Sequence, residues 1–269
     1  MSAAGDRYSH GHHESVLRSH RWRTAENSAG FLLPYLVPGQ ALLDVGCGPG
    51  TITVDFARRI HPGPVHGVDV APEIVELARR DAPPPSDANV HFDVGDVYSI
   101  DAEDGAYDVV YAHQVLQHLT DPIAAVREMK RVLRRPGVLA VRDSDYGAFA
   151  WAPGDARLDR WMALYRALTA RNGAEADAGR HLARWVRAAG FSSMTVSSST
   201  WTFHTADERA WWGELWSERV RESEFAHQIL EYGLTTRAEL DTIADAFLAW
   251  AADEDGVFIV VHGEVLARV

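Results

Sequence analysis

The chain has 269 residues, 46% of them apolar, enough for one large core or two small ones. Its formal net charge is −12 and its 26 Lys and Arg are dispersed in short pairs such as Arg58-Arg59 and Arg79-Arg80, which argues against duplex nucleic acid, whose binding rests on clustered cations. One cysteine, Cys47, excludes an intramolecular disulfide; the apolar runs are strand-sized and no signal peptide is visible, so the expectation is no membrane insertion and a cytoplasmic location.

From residue 41 onward, short apolar runs alternate with amphipathic stretches, the pattern of a parallel sheet covered by helices on both faces. Ala41 to Val45 reads as the first strand and Thr51 to Ile60 as a helix with Ile52, Phe56 and Ile60 on one stripe. Val65 to Val70 is the second strand, and Pro72 stands in the first turn of the next helix, where proline is tolerated. Pro83 to Asp87 reads as a loop, Val90 to Val94 as the third strand, and Tyr107 to Ala112 as the fourth. Asp121-Pro122 opens a helix, and Arg135-Pro136-Gly137 turns the chain into a fifth strand, Val138 to Val141.

Beyond this point the alternation breaks. A first helical insertion spans roughly Asp155 to Asn172, a further helix Asp177 to Ala189 closes at Gly190, and Met194 to Phe203 forms the sixth strand. A second insertion, Asp207 to Ala252, reads as a pair of helices, the latter opening on the capping box Thr236-Arg237-Ala238-Glu239. Val257 to Val261 continues into Val265 as the last strand, and residues 1 to 38 form a polar arm followed by an amphipathic segment.

The residues that carry chemistry sit at successive strand ends. Leu42-Leu43-Asp44-Val45-Gly46-Cys47-Gly48-Pro49-Gly50-Thr51 runs from strand through a glycine turn into a helix, where Gly46, Gly48 and Gly50 let a ligand lie directly on main-chain N–H groups. Dinucleotide enzymes use such a turn too, but Asp44 would repel a pyrophosphate and suits the amino group of a methionine moiety. Asp69, ending the second strand, stands where a carboxylate reaches ribose hydroxyls, with Val70 beside the adenine; Asp96 and Val97, after the third, offer a carboxylate and a backbone N–H to an adenine edge. Cys47 reads as a small packing residue, and the tract His10, His12, His13 as a mobile polar arm with no metal.

These motifs, with Tyr107-Asp108-Val109-Val110 and Arg131 to Gly137, resemble the class I S-adenosylmethionine (SAM)-dependent methyltransferases over about residues 35 to 145. Within that class the chain looks most like the ubiquinone and menaquinone biosynthesis branch, with Val138 where that branch shows a second glycine. The resemblance implies a Rossmann-like α/β fold, a seven-stranded, mostly parallel sheet with a reversed last strand. It implies one methyltransferase domain over 1–269: a helical arm (1–38), a SAM-binding core (39–145) and helical cap insertions (146–175 and 205–252). The expected activity is methyl transfer from SAM to an O, N or C atom of a small biosynthetic or secondary metabolite, releasing S-adenosylhomocysteine (SAH). A catalytically silent SAM-binding regulator and a nicotinamide-dependent oxidoreductase are the alternatives.

Cofactor contacts are expected from Asp44, Gly46, Cys47, Gly48, Gly50, Asp69, Val70, Asp96, Val97, Ala112 and His113, with Tyr8, Arg21 and Arg23 of the arm offered to the SAM carboxylate. Of the catalytic candidates, His113 directly follows the fourth strand and is the preferred general base; His118, Asp143 and Tyr146, with Asp145, follow it. Most of the nine tryptophans are expected in the core, a few lining an apolar acceptor pocket.

Overall fold

The computed structural model describes residues 6–11, 13–82 and 89–269. The arm contains α1 (Glu14–Arg21) and α2 (Ala25–Ala29). The core then alternates β1 (Leu42–Val45), α3 (Thr51–Ile60), β2 (Val65–Asp69), α4 (Pro72–Asp81), β3 (Val90–Val94), β4 (Tyr107–His113), α5 (Pro122–Val132) and β5 (Leu133–Ser144). After it come β6 (Ala150–Ala152), α6 (Ala156–Arg171), α7 (Leu182–Ala188), β7 (Ser193–Phe203), α8 (Ala206–Glu222), α9 (Glu224–Glu231), α10 (Arg237–Ala252) and β8 (Val257–Arg268).

The sheet runs β3-β2-β1-β4-β5-β8, with β7 on the far side of β8 and β6 continuing past the end of β5. β1 to β5 pair in parallel, and β8 is antiparallel to each of its neighbours, so it is the reversed strand. Period-2 alternation sends side chains to opposite faces. Leu43, Val45, Val110 and Ala112 pack with α5 and α7, whereas Leu42, Val109 and Tyr111 pack with α2 and α3. A separate aromatic cluster, centred on Trp161, Trp216, Phe247 and Phe258, joins the cap helices to β7 and β8.

Several expectations are corrected by local chemistry. The sheet has eight strands, the three-residue β6 being the addition. Arg135-Pro136-Gly137 lies within β5: Tyr107 pairs with Leu133 and Val109 with Val138, so the intervening residues bulge from the ladder. The second insertion holds three helices, because Ser223, extended at ψ 176°, ends α8 and starts α9. The helix expected over Asp177 to Ala189 begins as a 3₁₀ turn, Ala178–His181, before α7. At Thr236 only half the capping box forms: its hydroxyl accepts from the Glu239 N–H, while the Glu239 carboxylate pairs with Arg160 and Thr235. Complete boxes form at Thr24 and Thr205. The expected loop over Pro83 to Asp87 lies outside the described residues. No described helix is long and apolar enough to cross a membrane.

The arm is not a loose polar tail. Arg219 of α8 donates to the Ser15 carbonyl and the Ser19 hydroxyl, both at 2.9 Å, and Trp201 Nε1 donates to the Asn27 carbonyl at 2.7 Å. The arm therefore roofs the carboxyl ends of the parallel strands, where open α/β sheets bind their ligands.

Candidate active site

A cavity of about 540 Å³ opens at those strand ends, bounded by the glycine turn, the loops after β2, β3 and β4, the arm and the cap. Its size is that of a site for a drug-sized molecule. Gly46, Gly48 and Gly50 all adopt positive φ (67°, 55° and 81°), but they serve differently. A Cβ on Gly46 would stand 2.4 Å from Val115, and one on Gly50 would strike Phe92 at 2.7 Å, so these positions secure close packing. A Cβ on Gly48 would meet only His20, at 3.8 Å, and would occupy open cavity. Gly50 does not line the cavity; it packs beneath and leads into α3.

Asp69 fastens this turn: its carboxylate accepts from the Gly48 N–H and the Ala71 N–H, each at 3.1 Å. Asp44, buried beneath, accepts from Thr53 Oγ1 at 2.6 Å, and burial pushes its carboxyl up to about 7. Val70 is 72% exposed, an apolar side chain left uncovered on the cavity wall. Asp96, whose carboxylate accepts from the Tyr98 N–H, and Val97 complete that side. Cys47 also lines it, but burial raises its thiol well above the ordinary range, consistent with packing against Phe92 and Ala78.

The opposite side is aromatic and basic. Tyr8 and Arg23 come from the arm; Arg21 does not, being ion-paired with Glu14 outside the cavity. Arg23 donates to Gln114 Oε1 at 2.7 Å and lies over the Trp201 ring, 5.6 Å from its centroid. Burial lowers Arg23 to about 10 and raises Tyr8 to about 12, leaving Arg23 charged and Tyr8 neutral at pH 7. Trp201, Trp212 and Trp216 line the cavity, while Trp161 and Trp250 remain in the core.

The catalytic candidates separate. His113 lines the cavity, 6% exposed, but the Arg142 guanidinium stands 3.5 Å from its Nδ1. Arginine can only donate, so Nδ1 accepts, the ring proton sits on Nε2, and Nε2 is a donor with no partner among the described residues. Burial, then the charges of Arg142 and Arg23, hold His113 well below the ordinary histidine value. His118 lines the cavity edge-on to Tyr8 at 4.7 Å and is lowered by burial to about 3. Tyr146 lines it too, stacked on Tyr165 at 4.0 Å and raised by burial above the usual phenol value.

Three other expected contacts lie elsewhere. Asp143 is fully buried behind the β4 loop, its carboxylate accepting from the Gln117 N–H at 3.0 Å, and burial raises it to about 8. Asp145 pairs with Arg180, and Ala112 packs below the cavity in the sheet core. The histidine tract divides. His10 is not on a mobile arm: it is buried with its Nε2 between the hydroxyls of Tyr165 (2.9 Å) and Tyr146 (3.2 Å). His13 caps α1, and His12 lies outside the described residues.

Sequence reasoning missed Gln114, His20, Ser144 and Arg219, all of which line the cavity. Gln114 has φ +54°, the single positive φ recorded for a described non-glycine residue, and joins Arg23 to Ser144 and His262 by side-chain bonds of 2.7 to 2.9 Å. Its position one residue past β4 was the available signal. Arg219 carried none, being one of several arginines on α8.

The donor set suits SAM on two counts. Carboxylates line the side where a sulfonium and an ammonium need counter-charge, and Gly48 leaves the cradle that a Cβ would fill. Asp69 would hold the ribose hydroxyls, Val70 and Val97 the adenine, and Arg23 the amino-acid carboxylate. This fold and this site define a class I SAM-dependent methyltransferase.

Residues 36–207 match a methyltransferase domain family, and the chain belongs to that family. It is 30% identical to an uncharacterized methyltransferase of Schizosaccharomyces pombe, over 97% of this chain and 96% of that one. It is also 29% identical to the 2-methyl-6-phytyl-1,4-hydroquinone methyltransferase of Synechocystis, over 75% of this chain and 60% of that one. In fold it is similar to the YcgJ protein of Bacillus subtilis (TM-score 0.56, 19% identity, 96% of this chain and 98% of that one). The [4+2]-cyclase SpnF also shares the fold (TM-score 0.52, 22% identity, 99% of this chain and 87% of that one).

Proposed function

We propose that this methyltransferase acts on a small molecule of biosynthetic or secondary metabolism, seated between the glycine turn and the cap. The carrying observation is the continuity of one cavity from the strand-end carboxylates to Trp212 and Trp216 of α8. SAM supplies a methyl group already activated by its sulfonium, so this chain's residues need mainly to align the acceptor and exclude water. The arm and cap provide that enclosure through the Arg219 contacts with Ser15 and Ser19. His113 serves as a wall and a hydrogen-bond donor rather than a base, because its Nδ1 is engaged by Arg142. A cytoplasmic setting suits the lone buried thiol of Cys47.

The test is a metabolite panel assayed for SAH release together with methylated product by mass. Acceptor-dependent SAH in one-to-one ratio with product is expected. SAH binding without acceptor-dependent release from any member of a broad panel would favour the silent regulator instead.

A further inference from the structure

We propose that the acceptor is a flat, apolar molecule bearing a carboxylate, and that Arg219 receives that carboxylate; this rests on the small-molecule reading above. Arg219 reaches the cavity from α8 and is only 5% exposed. Its Nη2 donates to two neutral acceptors, the Ser15 carbonyl and the Ser19 hydroxyl, and its Nε has no partner. Among the described residues no carboxylate stands within ion-pair distance of it. Arg142, the comparably buried arginine behind His113, shows the contrast: it has Glu264 at 3.4 Å. A buried guanidinium without a counter-ion is costly, and a site that retains one is built to receive an anion.

Arg23 is the other cavity cation without a carboxylate, bonded instead to Gln114. The methyl donor brings one carboxylate, and Arg23 accounts for it. Arg219 then remains unmatched. The carboxylates lining the cavity do not relieve it: Asp44 and Asp69 are engaged at the glycine turn, Asp96 by the Tyr98 N–H, and Asp6 by the Thr120 N–H. The second anion therefore belongs to the acceptor. Its shape follows from the walls beside Arg219. The guanidinium lies over the Trp216 ring at 4.6 Å, and Trp212, edge-on to Trp216, lines the cavity with Tyr146 and Phe149, an aromatic wall whose edges suit an aromatic body.

Calorimetric titration tests this with the full chain saturated by SAH and with matched probes: benzoate and 2-naphthoate, each against its carboxamide. At least one acid should bind tenfold or more tighter than its amide. Arg219→Met, saturated with SAH at its own affinity, should bring that pair to within about twofold. Arg219→Lys, which keeps the charge without the planar fork, should retain part of the preference and covers the case in which Arg219→Met does not fold. Equal binding of acid and amide throughout the panel, absence of binding by either, or a preference that survives in Arg219→Met would overturn the inference while leaving methyl transfer intact. Failure of wild type to bind SAH in the first titration would remove the functional reading and this inference together.

Discussion

The two halves of the cavity are built from different materials. The half beneath the glycine turn presents Asp44, Asp69 and Asp96 on three strand ends or the loops just past them, with backbone N–H groups between. The half beneath the cap presents Arg23, Arg219, three neutral histidines (His10, His113 and His118) and three tryptophans, drawn from segments as distant as residues 10 and 219. Acid faces base across one space. A molecule with a cationic centre at one end of the site and a carboxylate toward the other is held in one direction by such a cavity.

The difference also explains what was legible beforehand. The acidic half is local: each carboxylate ends or follows a strand whose apolar run is contiguous, so period and position together disclose β1 to β4 and the cavity-lining carboxylates at their ends. Thr51–Ile60 and Val90–Val94 were delimited to the residue, because a glycine turn and loop residues bracket them. The basic half depends on which long-range contacts form. Nothing local to Arg219 distinguishes it from Arg221, which is paired with Asp245 outside the cavity. His10 is buried in spite of a polar neighbourhood, because two tyrosine hydroxyls from β5's exit and α6 satisfy its ring nitrogen. Asp143 was misplaced because a strand end has two faces, and its side chain turns to cap the β4 loop.

The contrast is broken most strongly at Asp69. Asp69→Ala removes a carboxylate expected on two ribose hydroxyls and also releases the Gly48 N–H. A loss of about 1.5 to 3 kcal/mol in SAH affinity is expected, roughly 10- to 150-fold, the range for hydrogen bonds to a charged group. Calorimetry reads this directly, and an unchanged dissociation constant would make Asp69 a purely structural residue.

A smaller effect is expected across the cavity at His113. With a donor at Nε2, His113→Ala should lower turnover by less than about tenfold and leave the pH profile of wild type unaltered, against about 10² to 10⁴ for loss of a positioned base. A hundredfold drop with loss of a titrating group would restore His113 as the base, with Arg142 turned away.

The smallest effect concerns the supporting layer. Asp143 is raised by burial to about 8, above the ordinary carboxyl value, so the native state holds its proton more tightly than the unfolded chain. Its contribution to stability is full below about pH 4 and declines as pH rises toward 8. Asp143→Asn removes that decline, and its melting temperature should gain on wild type by a few degrees between pH 5 and pH 9. A constant difference across that range would show that Asp143 ionises freely in the folded protein.

The central claim is that carboxylates at the strand ends make this a site for a cationic methyl donor rather than for a dinucleotide. Titration calorimetry of the full chain with SAM and, separately, with NAD tests it most directly. The account predicts SAM binding of micromolar order and no measurable heat with NAD, whose pyrophosphate would meet Asp44. Tight NAD binding with no response to SAM would contradict it.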